Sequence, residues 1–247
     1  MQRFFNAACQ RVCMKPKQIL LALPLLCLAA TTCAQQTTYS AGVNSGLFSI
    51  SSKNSSISST VVLRPLMRFE VMGPSKSSAE FSYEINGRMQ RNTRNGLIYG
   101  AELAFQSLRS SVDITYAIPF SYSSALLPAN GKVKMHNSFI ALTPYAGFRI
   151  LDKKITVDLT SGLEIAACIK RDEQITVQTT YTNDRTEAIS ELKKTTDYRV
   201  RFQVITSFKK IGITAGYAAG LKNYYHKDDL LTGHSRFIRL GLTYRIH

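Results

Sequence analysis

From Gln36 to the end of the chain, apolar and polar residues alternate with a period of two. The last segment shows it most clearly. Ile238, Leu240, Leu242, Tyr244 and Ile246 share one face of an extended strand, and Arg239, Gly241, Thr243, Arg245 and His247 share the other. The same alternation sets Ile155, Val157, Leu159, Leu163 and Ile165 against Thr156, Asp158, Thr160, Gly162 and Glu164. It also sets Tyr198, Val200, Phe202, Val204 and Phe208 against Arg199, Arg201, Gln203 and Ser207. Side chains along a strand point to opposite faces in turn, so each pattern predicts a strand with one apolar and one polar face. Ten segments of this kind are bounded by Gly, Ser, Asn or Lys clusters: 38–50, 59–72, 78–90, 96–107, 111–122, 137–150, 155–169, 197–208, 211–223 and 235–247. No amphipathic helix of convincing length interrupts them, and nothing divides a second domain from the first.

The connections predict an up-and-down order. Tight turns fall at Gly73–Ser77, Leu108–Ser110, Leu151–Lys154 and Lys209–Lys210. Longer ones fall between them, at Ser123–His136, Lys170–Thr196 and Tyr224–His234. The Lys170–Thr196 connection either extends its hairpin, as the alternation at Thr176–Thr182 suggests, or carries a helical turn near Thr186–Leu192. Short turns on one side and long loops on the other are the asymmetry of outer-membrane barrels. Arg91–Asn95 is the exception, because it is short for an outer loop. The expected fold is therefore all-β: a closed antiparallel transmembrane β-barrel of about ten strands, with eight as the alternative count.

Alternation alone does not say which face is inside, because a soluble barrel turns its apolar face inward. The glycines decide it. Gly42, Gly46, Gly100, Gly147, Gly162, Gly212, Gly216, Gly220 and Gly241 lie on the polar face, and only Gly87 lies on the apolar one. Glycine weakens a strand and is kept where space is short, as it is inside a narrow barrel. The apolar face carries Tyr39, Phe81, Tyr83, Tyr99, Phe105, Phe148 and Tyr217, many near segment ends, where aromatic girdles meet lipid headgroups. The polar face carries charges of both signs. Arg64, Arg68, Glu80, Glu84, Arg88, Glu102, Asp113, Arg149, Asp158, Glu164, Arg199, Arg201, Arg239 and Arg245 are expected to fill the lumen as a structural charge network. A barrel this narrow is filled by side chains, so paired charges predict a plug rather than an open pore.

The N-terminus changes the picture of where the chain resides. The apolar run Ile19–Ala30 is short of the about 20 residues a spanning helix needs, and it follows Lys15 and Lys17. With Thr32-Cys33-Ala34 as a small-residue cleavage site, residues 1–34 read as a signal peptide and 35–247 as the barrel domain of an exported, outer-membrane protein. Met14 opens a compact basic region and is an alternative start, and Cys33 as a lipid-anchored N-terminus is the rival processing. The net charge of +15 admits nucleic acid as a partner, but basic groups interleaved with acids inside a barrel exclude it. The expected partners are outer-membrane lipids, the barrel-assembly machinery and an envelope protein bound through the loops.

No constellation of catalytic or metal-binding residues emerges, and no cofactor is expected. Cys168 is the sole thiol after residue 34, so the barrel domain has no intrachain disulfide. His136-Asn137-Ser138 has the His-x-Ser spacing of barrel lipid A deacylases, but Phe139–Leu151 supplies no acid. His226, Asp228, Asp229 and His234 offer protease or metal-site residue types in one loop, without a ligand spacing.

The chain resembles the Bacteroidota-type outer-membrane β-barrel family, a broad group with PorT-like members. The resemblance covers roughly residues 37–247. It rests on Tyr39-Ser-Ala-Gly-Val43, the pair around Leu151-Asp-Lys-Lys154, Gly212-Ile-Thr-Ala-Gly-Tyr-Ala-Ala-Gly-Leu221 and Leu240-Gly-Leu-Thr-Tyr244. It implies a barrel class and not an activity. The family often ends in an aromatic residue read during assembly, whereas this chain ends in His247. The leading expectation is a non-enzymatic envelope or binding barrel. A narrow transport or secretion-associated barrel and a lipid-modifying barrel enzyme are the alternatives.

Overall fold

The computed structural model describes residues 36–52, 57–64, 67–73, 77–119, 127–179, 182–191, 196–221 and 233–246. Eight long strands close into an antiparallel ring: β1 (Gln36–Ser52), β4 (Ser78–Asn92), β5 (Leu97–Pro119), β6 (Leu127–Asp152), β7 (Ile155–Thr179), β9 (Thr196–Phe208), β10 (Ile211–Gly220) and β11 (Gly233–Arg245). Each pairs with the next in this order, and β11 returns to β1 through a register running from Ser40↔Arg245 to Ser52↔Gly233. Closure leaves no unpaired backbone edge, as the hydrocarbon of a bilayer requires.

Eight strands rather than ten has two causes. Leu108–Ser110 is no turn, and β5 runs unbroken from Leu97 to Pro119 through the segments expected at 96–107 and 111–122, the last of which continues outside the described residues. Segment 59–72 folds as a hairpin of β2 (Ile57–Arg64) and β3 (Met67–Gly73) outside the ring. With both changes Arg91–Asn95 ceases to be an anomaly. It joins the short turns at residues 153–154 and 209–210 at the end where β1 begins and β11 finishes. Turn chemistry explains its tightness, because Gly96 takes φ 77° and Thr93 N–H and Oγ1 both donate to the Leu97 carbonyl. Gly73–Ser77, expected as a tight turn, belongs instead to the long excursion from β1 to β4 at the opposite end.

At that opposite end β5, β6 and β7 run on past the ring. β3 pairs with β5 through Phe69↔Pro119 to Met72↔Tyr116. β8 (Thr182–Glu191) pairs with β7 through Asp172↔Glu191 to Thr179↔Thr182. The result is a second storey, a six-stranded sheet in the order β2-β3-β5-β6-β7-β8, whose two edge strands come into contact. Of the two alternatives for the Lys170–Thr196 connection the extended hairpin holds, and residues 186–191, where a helical turn was the other expectation, are strand.

The two storeys have opposite polarity. In the ring, apolar side chains point outward: Val43, Leu47, Phe81, Ile85, Leu103, Leu142, Phe148, Leu159, Phe202, Ile213, Leu240 and Leu242 are all exposed. The belt spans Ile140–Ile150 on β6 and, along β11 and the residue after it, Ile238–Ile246, matching the about 9–11 residues a tilted strand needs to cross a bilayer. Above it, Leu108, Val112, Ile114, Val133, Met135, Ile175 and Val177 point inward and form an apolar core, while Asp113, Lys132, Lys134 and Gln174 are exposed. The lower storey is built for lipid and the upper for water. On β7 a bulge shifts the register between Ser138/Phe139 on β6, so that even-numbered residues face inward up to Ala166 and odd-numbered ones from Arg171.

Candidate functional site: the ion-pair layer inside the ring

Strand parity delivers the polar face of every ring strand to one interior. From β4 come Glu84, Asn86 and Arg88, from β5 Glu102 and Gln106, from β7 Glu164, from β9 Asp197, Arg199 and Arg201, and from β11 Ser235 and Arg239. All are buried, and Arg199, Glu84 and Glu164 are 0% exposed. Arg239 bridges Glu84 and Glu164, donating from Nη1 to Glu84 and from Nη2 to Glu164 at 2.9 Å. Arg199 donates to Glu164 at 2.7 Å, to Asp197 at 2.8 Å and to Gln106 at 2.9 Å. Gln106 passes the chain on to Glu84 at 2.7 Å, and Asn44 donates to the same carboxylate at 2.6 Å. Arg201 pairs with Glu102 at 2.6 Å and approaches Glu84 and Glu164 at 3.7 and 3.6 Å. Ser235 donates to Asp197 at 2.8 Å.

Burying any one of these charges costs several kcal/mol, and the cost is met only where each ion has close partners. The layer meets that condition by balance. Four acids (Glu84, Glu102, Glu164, Asp197) face Arg199, Arg201, Arg239 and, one level nearer the short turns, Arg88. Arg88 donates to the Tyr145 hydroxyl at 2.6 Å and to Gln203 at 3.3 Å, with its guanidinium 3.9 Å from the Tyr145 ring centroid. Gly100 makes room for that ring, since a Cβ there would lie 2.7 Å from the Tyr145 hydroxyl and overlap the Met89 carbonyl. At the short-turn end Arg149 holds Asp158 at 2.8 and 3.2 Å, and Gln90 donates to the same acid at 2.9 Å. Arg245 lines a cavity of about 30 Å³ there with Arg88, Gln90 and Asp158.

The opposite end of the layer is closed by aromatic rings. Phe48, Phe139 and Phe237 are 0–1% exposed and lie between the ions and the apolar core. The Arg199 guanidinium is 5.1 Å from the Phe139 centroid and 5.8 Å from that of Phe48, and Arg239 is 4.5 Å from that of Phe237. A cation packed on a ring face is stabilised by the ring quadrupole.

Four of the expected lumen charges are placed elsewhere. Asp113 is exposed (63% for its side chain) and sits 3.9 Å from Lys132 on the outer face of the upper storey, because the inward positions there are apolar. Glu80 lies at the register shift between Ala79 and Tyr83 and lines an external cavity with Arg109 and His136. Arg64 and Arg68 belong to the β2–β3 hairpin outside the ring, and their side chains lie outside the described residues. Asp197, Gln106, Asn44 and Tyr145 were missed as members. Parity could have found Asp197, which shares a face with Arg199 and Arg201, and Tyr145, which pairs across the sheet with Gly100.

His136 bonds to the hydroxyl of Ser107 through Nε2 at 2.9 Å, rather than to Ser138. Ser107 is 1% exposed, so its hydroxyl has no access to lipid or water. Burial, with Arg109 next, pushes the His136 imidazole below its ordinary pKa. Of the loop residues His226, Asp228, Asp229 and His234, only His234 is among the described residues. Cys168 is half-buried against the apolar core.

These features define a class: an eight-stranded transmembrane-type β-barrel with an ion-paired interior. No protein-family model matches the chain, and no curated protein does. Among solved structures it is similar to the attachment invasion locus protein Ail of Yersinia pestis, at 11% identity over 86% of this chain and 100% of that one, TM-score 0.36. It is also similar to the outer membrane protease OmpT of Escherichia coli, at 11% identity over 85% and 96%, TM-score 0.39. A third is Neisserial surface protein A, at 9% identity over 85% and 99%, TM-score 0.37. Likeness at this level transfers no activity, and the class assignment rests on the closed ring and its lipid-type exterior.

Proposed function

We propose that this chain is a non-enzymatic outer-membrane protein, a sealed barrel that anchors a β-sheet platform above the membrane surface. Its short turns, with the start of β1 and the finish of β11 beside them, face the periplasm. The upper storey and the long connections face outward and offer binding surface to an envelope or external partner. Outer-membrane lipids surround the belt, and the barrel-assembly machinery inserts it. The carrying observation is the plug: Arg199, Arg239, Glu84 and Glu164 lie in the middle of the ring at 0–1% exposure, under a lid of phenylalanines. A lumen filled by mutually neutralising ions and closed by apolar rings has no water-filled path for a solute. We place the chain with the Bacteroidota-type, PorT-like barrels as part of this proposal. The support is that the quoted motifs fall on β1, β10, β11 and the β6–β7 turn of the ring.

Planar-bilayer recording of the purified full chain tests the reading. No stable single-channel conductance is expected from the wild-type protein, and removal of the layer through Arg199→Ala/Arg239→Ala/Phe139→Ala is expected to open one. Large, stable conductance from the wild type would overturn it.

A further inference from the structure

Directly above the lipid belt, the outer face of β5, β6 and β7 changes from apolar to basic within two rows of residues. Phe105, Ile140 and Ala167 are cross-strand partners and form the last belt row. Ser107, Ser138 and Lys170 follow, only Lys170 of them exposed, and next come Arg109, His136 and Asp172, then the buried Ser111 with the exposed Lys134 and Gln174. Two residues along a strand advance about 7 Å, less when the strand tilts. Arg109 and Lys134 therefore lie two and three rows beyond the belt, about 14 and 20 Å along the strands and less along the membrane normal, at the level of the outer leaflet's headgroups. Both are exposed, and among the described residues neither makes an ion pair. They line a cavity of about 360 Å³ with Glu80, His136, Asp172 and Gln174. Asp172 is already held by Lys170 at 2.7 Å, so Glu80 is the carboxylate left facing the two cations.

We infer that Arg109, Lys134 and His136 form a binding site for the phosphate of an outer-leaflet lipid headgroup. The chemistry fits a phosphomonoester. Arg109 supplies a planar fork for two oxygens, Lys134 a second positive charge, and the His136 ring an N–H from the nitrogen not engaged by Ser107. A free phosphate would satisfy the same donors. A lipid is favoured because the cavity opens two to three rows above the belt, on the same outer face as the exposed Phe105 and Ile140, against which acyl chains would lie. The inference rests on the membrane orientation proposed above.

The test uses the full chain folded into zwitterionic vesicles, re-extracted in mild detergent and analysed by native mass spectrometry. The probes are diphosphorylated lipid A, the same lipid with both phosphates removed, and inorganic phosphate. Diphosphorylated lipid is expected to be retained as a single adduct about thirtyfold better than the dephosphorylated one, the effect of two basic residues at a membrane surface. Arg109→Ser/Lys134→Ser is expected to abolish the difference, Lys209→Ser/Lys210→Ser at the opposite end to leave it intact, and Glu80→Gln to increase it. Equal retention of the two lipids, or a difference that survives Arg109→Ser/Lys134→Ser, would overturn the site. Inorganic phosphate that displaces the lipid at comparable concentration would overturn the lipid as its occupant. Heat-modifiable gel mobility is read on every variant. Its loss in the wild type would overturn the barrel reading itself, whereas its retention with no lipid preference overturns only this site.

Discussion

Replacing Glu164 by leucine removes the carboxylate that joins two arginines in the middle of the ring. Glu164 accepts from Arg199 at 2.7 Å and from Arg239 at 2.9 Å, with both guanidinium groups 0–1% exposed. Breaking a buried pair from one side typically costs about 3–5 kcal/mol, because the abandoned charge remains in a medium that solvates it poorly. Here the abandoned groups keep other partners. Arg239 retains Glu84, and Arg199 retains Asp197 and Gln106. The expected loss is therefore at the lower end, about 3 kcal/mol. Glu164→Gln keeps an acceptor oxygen and loses the charge, so about 1–2 kcal/mol is expected. The double variant Glu164→Leu/Arg239→Leu removes donor and acceptor together. It should be destabilised by less than the sum of its parts, with a coupling of about 1–3 kcal/mol. Urea titration of the full chain in zwitterionic vesicles, read by the mobility difference between folded and boiled protein, measures these three variants and the single Arg239→Leu that completes the cycle. A Glu164→Leu variant within about 0.5 kcal/mol of wild type, or strict additivity in the cycle, would refute the network as a structural element.

The other expectations use the same assay. Leu242→Arg, in the middle of the β11 belt, should cost about 2–4 kcal/mol, whereas Asp113→Asn on the outer face of the upper storey should change stability by less than about 0.5 kcal/mol. Gly100→Val should greatly reduce the folded fraction, since its Cβ would overlap the Met89 carbonyl and strike the Tyr145 ring, while Gly87→Ala should be silent because nothing lies within 4 Å of a Cβ there. His136 holds its proton less tightly when folded than when unfolded. Between the two pKa values the unfolded chain binds more protons, so stability should fall as pH drops through and below the ordinary histidine range, and His136→Gln should flatten that slope.

The sequence carried the ring and most of its interior because both depend on one signal, the period of two. Parity alone assigned Glu84, Glu102, Glu164, Arg199, Arg201 and Arg239 to a common face, and glycine placement chose which face was inside. A built Cβ collides inside at Gly46 and Gly241 and meets nothing outside at Gly87. Parity does not reveal the solvent on each side, and that is where the reading fails. Val112 and Ile114 alternate with Asp113 just as Leu240 and Leu242 alternate with Gly241, yet the first pair faces a core and the second faces the exterior. The only local signs of the change are an outer face that acquires Arg109, Lys132 and Lys134, and strands too long for one bilayer. Counting strands failed for a related reason. Ser110 and Ser111 look like turn residues, but both are buried within a continuous β5 that pairs with β6 on either side of them.

One closed sheet turns its apolar face to lipid in the ring and holds aromatic residues away from lipid above the ion-pair layer. The chain contains no tryptophan, so a single introduced indole reports its own surroundings. Phe202 on β9 is 54% exposed in the belt, and Phe139 on β6 is 1% exposed beneath the upper storey. Phe202→Trp and Phe139→Trp, each folded into vesicles of acyl-chain-brominated phosphatidylcholine, should separate cleanly. Strong quenching of Trp fluorescence is expected for Phe202→Trp and little for Phe139→Trp. Equal quenching of both, or quenching of Phe139→Trp alone, would contradict it.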